Sequence, residues 1–235
     1  MKLISYHSNL YLDTFKEHVE EIKAKGFDTV LFCITETDLF FNLGTFKELR
    51  EYAEGEGLKT WATFWGLTAG EAICRECDIA KWVHAVKETG FGNVMIDEPK
   101  NMQSISAFLD FSHLLDFHLC LCDKTFSALS DYELTSLPVR SLGVSCYHWT
   151  DNWYKIRKRT AATAERLHWL RPEDNFIFIQ GFDIPEGMEK LPEVVKETCE
   201  QYLITNFAFW SFKCTAATSS KRPVNHRQIW ESIQF

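Results

Sequence analysis

Short runs in which apolar residues dominate or alternate recur along the whole chain, and a stretch with helical spacing separates each run from the next. The strand-like runs fall at 2–8 (KLISYHS), 28–35 (DTVLFCIT), 58–65 (LKTWATFW) and 92–98 (GNVMIDE). They continue at 117–123 (FHLCLCD), 139–147 (VRSLGVSCY), 175–181 (NFIFIQG) and 203–212 (LITNFAFWSF). Helical stretches are predicted near 11–25, 44–56, 78–89, 103–115, 127–136, 152–170 and 189–201, with a last one near 224–233. In the first of these, Phe15, Val19 and Ile22 share one helical face and Gly26 supplies a stop. Strands that alternate with helices pair in parallel through right-handed crossovers. Eight units over 1–235 predict one α/β domain, a lean (β/α)8 TIM barrel with few insertions. The rival, an open doubly wound sheet, would begin with a G-x-G-x-x-G phosphate fingerprint, which is absent.

Composition narrows the partners. Hydrophobic residues make up 46% and charged residues 25%, with 8 Trp and 19 Phe, enough to fill a large core. The net charge of −8 argues against nucleic acid, because phosphate binding needs a basic face. The basic run Lys155, Arg157, Lys158, Arg159 lies on a predicted helix and reads as a solvated face. No apolar run reaches 18 residues and the first residues lack a secretion-signal pattern, so a cytoplasmic protein without membrane contact is expected. The eight cysteines fall short of a disulfide-scaffold composition and read as reduced structural thiols. Cys74 and Cys77 form a single C-x-x-C, and a zinc site needs a second pair. His118, Cys120 and Cys122 share one strand face, where inward packing outweighs a soft-metal site.

In such a barrel, chemistry sits where the strands end at their C-termini. The residues at those ends include Tyr6 and His7; Thr35 and Glu36; Trp65 and, beyond it, Glu71; Asp97 and Glu98; Asp123; Tyr147, His148, Trp149 and Asp151; Gln180 and Asp183; and Trp210 and Lys213. Carboxylates and aromatics together suit a neutral polyhydroxylated ligand. Indoles stack on sugar C–H faces, and paired carboxyls serve the glycosidic oxygen. An oligosaccharide or small-molecule substrate is therefore expected, with no cofactor.

The segment Phe91-Gly92-Asn93-Val94-Met95-Ile96-Asp97-Glu98-Pro99 resembles the fourth strand of TIM-barrel glycoside hydrolases, whose largest clan ends that strand Asn-Glu-Pro. The resemblance implies that Glu98 is the general acid/base, with Asp97 in the place of the Asn. The run Asn206 to Phe212 is similar to the eighth strand of these barrels, where a Trp, here Trp210, floors the sugar site. Trp65 and Trp149 would line it, and Tyr147, His148 and Gln180 would hydrogen-bond hydroxyls. The sequence departs from the clan at the seventh strand: Gln180 stands where the nucleophilic Glu would be. A second carboxylate must then come from Glu71 or from Asp183 or Glu186. An inverting or substrate-assisted route stays open.

Two other readings stand beside this one. A divalent-metal barrel of the sugar-isomerase or endonuclease type would draw on His7, Glu36, Glu98, Asp123, His148 and Asp183, although no H-x-x-E-H or H-E-x-x-H spacing is present. A barrel that binds carbohydrate without turning it over fits the missing seventh-strand Glu. A phosphate barrel is disfavoured, because the last loop, Thr215 to Arg222, contains no glycine.

Overall fold

The computed structural model describes residues 1–6, 10–64, 76–182, 184–212 and 226–235. In chain order the elements are β1 (Lys2–Tyr6), α1 (Leu12–Ala24), β2 (Thr29–Ile34), α2 (Glu36–Phe41), α3 (Leu43–Gly55), β3 (Lys59–Phe64), α4 (Glu76–Glu88), β4 (Asn93–Asp97) and α5 (Met102–Leu109). They continue with β5 (Asp116–Cys122), α6 (Asp123–Ala128), α7 (Asp131–Ser136), β6 (Ser141–Cys146), α8 (Trp153–Leu170), β7 (Asn175–Gln180), α9 (Leu191–Glu200), β8 (Phe207–Trp210) and α10 (His226–Ser232). Each strand pairs in parallel with its sequence neighbours, and β8 returns to β1 to close the barrel. The fold is a (β/α)8 TIM barrel, as the alternation predicts.

Strand alternation sorts the side chains into two layers. Outward residues such as Ile4, Val30, Ile96, Leu119, Val144 and Ile177 join the apolar stripes of the helices, including Phe15, Val19 and Ile22 of α1. Inward residues form a second core of Leu3, Leu31, Cys33, Trp61, Met95, Cys120, Phe176, Phe178, Ala208 and Trp210. Large and small residues alternate there. A Cβ at Gly143 would lie 2.2 Å from the Phe176 ring, so β6 gives up a side chain to admit the phenyl group. Low in the barrel, His118 stacks on Trp61 with centroids 3.6 Å apart and hydrogen-bonds Ser141 Oγ and Asn93 Oδ1.

Three helical readings change. Thr35 and Glu36 do not simply end a strand, because α2 begins there. Thr35 Oγ1 accepts the Asp38 N–H, and Asp38 returns the bond to the Thr35 N–H. The stretch 127–136 splits into α6 and α7 because Ser130 and Glu133 form a second capping box that starts a new helix. The stretch 103–115 ends as a helix at Leu109 and finishes in turns. Among the described residues, no helix is long and apolar enough to cross a membrane.

Candidate functional site

β4 ends on the first of two adjacent acids. In an ideal strand their side chains would face opposite ways. Glu98 instead takes the left-handed region, with φ 44°, while its N–H still donates to the Cys120 carbonyl at 2.8 Å. A non-glycine residue there carries a cost of about 1 kcal/mol. The turn keeps both carboxyls together at the barrel mouth, each half-buried.

Burial, and then the charge of Glu98, push the Asp97 carboxyl up to about 8. Burial also raises Glu98, and a hydrogen bond from Ser145 opposes that rise. Ser145, inward-facing on β6, is the hub. Its hydroxyl also bonds the Tyr147 hydroxyl and lies 3.4 Å from Cys120 Sγ. Burial, with the charges of Glu98 and Asp97, holds Tyr147 well above the usual phenol range, so it stays protonated. Burial raises the thiols of Cys33 and Cys120 as well, and the nearby carboxyls add to it, so neither is a nucleophile. At the end of β8, Trp210 is almost sealed and meets Phe178 edge-on at 5.9 Å.

Burial raises both carboxyls, so at neutral pH the folded barrel holds a proton that the unfolded chain would release, and this lowers its stability there. Asp97→Asn is therefore expected to raise stability at pH 7 by about 2 kcal/mol, a Tm gain of about 5 °C by calorimetry. A lowered Tm would contradict the desolvation account.

The structure thus brings Asp97, Glu98, Tyr147 and Trp210 to one end of the barrel and adds Ser145, Cys33 and Cys120, which strand-end reasoning missed. Inward alternation from Tyr147 back through Ser145 and Gly143 is the signal that could have found the serine. Glu71, Asp183 and Trp65 lie outside the described residues. Trp149 stands on the rim, 62% exposed. His148 is buried with its ring toward α8, where Nε2 is 3.0 Å from Thr160 Oγ1 and 3.4 Å from Cys146 Sγ. Gln180 is fully buried, and both ends of its amide bond backbone: Oε1 accepts from the His148 N–H and Nε2 donates to the Phe182 carbonyl.

Of the metal-type set, Asp123 is paired with Arg159 at 2.7 Å and His7 lies outside the described residues. Among the described residues, no group of three or more His, Cys, Asp or Glu is placed to hold a metal ion. Cys33, Cys120, Cys122, Cys146 and Cys199 are not joined in disulfides among the described residues, and Cys74 lies outside them.

No protein-family model and no curated protein sequence matches this chain. Solved structures do. Active domain 2 of a chitinase from Pyrococcus furiosus superposes with a TM-score of 0.64 at 12% identity, covering 89% of this chain and 83% of that one. A glycoside hydrolase-like protein gives 0.61 at 11% identity, covering 100% and 94%. The α subunit of tryptophan synthase from Campylobacter jejuni gives 0.55 at 7% identity, covering 99% and 94%. At such identities the likeness shows the fold, which glycoside hydrolase-like proteins share with barrels of other chemistry.

Proposed function

We propose that this barrel is a glycoside hydrolase-like enzyme that cleaves a carbohydrate or glycoside by acid–base chemistry at the end of β4. The observation that carries the proposal is the pair of adjacent, half-buried carboxyls, Asp97 and Glu98, at the end of β4, where burial raises both above the usual carboxylate range. A general acid for a glycosidic oxygen needs that condition. In this reading the pair holds one proton, and Glu98 passes it to the leaving oxygen as the bond to the anomeric carbon breaks. The Ser145 hydroxyl, bonded to Glu98, steadies the charge that remains. Water adds at the anomeric carbon and gives its proton to a second carboxylate, Glu71 or Asp183, from the loops after β3 and β7. Trp210 floors the site, while Trp65 and Trp149 line it. Tyr147 meets a hydroxyl, whereas Gln180 holds the His148 and Phe182 backbone and the His148 ring bonds toward α8. No cofactor enters.

One observation favours a second reading, a barrel that binds carbohydrate without cleaving it. At the strand where the resembling clan keeps its nucleophile, Gln180 is committed to backbone on both sides. The test is a reducing-end assay of the purified protein over a panel of soluble polysaccharides, with and without a chelator. Product from at least one substrate, indifferent to the chelator, is expected. Product that needs divalent ions would transfer the case to the metal barrel. Saturable binding with no product over long incubation would support the binding reading.

A further inference from the structure

Gln180 uses both ends of its amide. One end accepts from the His148 N–H at 2.7 Å, and the other donates to the Phe182 carbonyl at 2.8 Å. A carboxylate accepts only and would face the Phe182 carbonyl without a proton. The side chain therefore ties the segment leaving β6 to the segment leaving β7. Phe182 then lies between two aromatic rings. It meets Tyr147 edge-on with centroids 5.2 Å apart and an 86° angle, and Trp149 at 5.7 Å and 68°. The inner end of this series is joined through Ser145 to Glu98, and the outer end is an indole 62% exposed. An exposed ring already held by its neighbour loses little freedom when a ligand covers it.

We propose that Gln180 fixes an aromatic strip, Tyr147–Phe182–Trp149, along which the sugar site extends outward from the carboxyl pair, so that the ligand is a chain of sugar units and not a free monosaccharide. The inference rests on the carbohydrate reading above. The chemistry that fits the strip is a linear oligosaccharide with alternating C–H faces for the rings and hydroxyls for the rim.

Calorimetric titration tests it, with glucose and N-acetylglucosamine oligomers of one to four units as probes and the intact chain carrying Glu98→Gln to suppress turnover. Affinity is expected to rise about tenfold or more from one unit to three. Trp149→Ala is expected to remove about tenfold of the affinity for the trimer. Gln180→Met, which removes both backbone bonds at similar volume, should also weaken the trimer. Trp169→Ala is the control, since Trp169 is 79% exposed near the C-terminal end of α8, far from the mouth, and it leaves the affinity unchanged. Binding that does not grow with length, or does not depend on Trp149, overturns the strip and leaves the carbohydrate reading intact. No binding by any oligomer overturns both.

Discussion

Glu98→Gln is expected to lower turnover by about a hundredfold to ten-thousandfold while the barrel stays folded, which is the usual worth of a positioned general acid. Glutamine is close in size, accepts a bond from Ser145 and tolerates the left-handed backbone about as well as glutamate does. It cannot release a proton to a leaving oxygen. The substitution also removes the charge that helps to raise Asp97. Asp97 should then titrate lower, held up by burial alone, and any residual activity should fall away at a lower pH than in the wild-type protein. Rates measured on the best substrate of the panel, with circular dichroism to confirm folding, decide the matter. An unchanged rate would remove Glu98 from the chemistry.

The second large effect is on stability in acid. Burial lowers His118 and His148 to about 4 each, against an ordinary value near 6.5. Both rings are neutral in the fold, so between those values only the unfolded chain takes up protons. Stability contributed by these groups is complete above about 6.5 and is lost as the pH falls toward 4. Asp97 runs the other way. Its raised value means that the folded state holds a proton which the unfolded chain releases above about 4, so acidification from 8 gives stability back. In Asp97→Asn the histidines act without that offset. Urea unfolding should therefore show a loss of about 3 kcal/mol between pH 6.5 and 5 in the variant, against about 1 kcal/mol in the wild-type protein. A variant no more acid-sensitive than the wild type would contradict either the buried histidines or the raised Asp97.

The barrel was legible because period and spacing are local properties. Phe15, Val19 and Ile22 mark a buried helical stripe, and runs such as Asn175 to Gln180 are short and apolar enough to be strands inside the sheet. Small helices such as α2 were not, because six residues carry too little periodicity, although the Thr35–Asp38 spacing held the capping signal.

The site was legible only where it follows one strand. Asp97 and Glu98 stand out as acids ending an apolar run. The partnership of Glu98 with Ser145 depends on β4 and β6 lying on either side of β5, a relation that the order of strands in the sheet creates and that no local pattern states. The left-handed turn at Glu98 has no compositional mark either, since glutamate before proline gives no reason to expect it. Gln180 shows the same limit in reverse. The sequence marks it as a departure from a resembling clan, whereas its amide bonds, to the backbone of two loops, explain why an amide stands there.

The central claim is that a carboxyl pair at the mouth of this barrel keeps a proton at neutral pH. Carbon-13 NMR of the side-chain carboxyls through a pH titration, with Asp97→Asn and Glu98→Gln for assignment, tests it most directly. The account predicts two coupled steps shared by the pair, one of them near 8. Two independent titrations near 4, like those of exposed carboxylates, would contradict it.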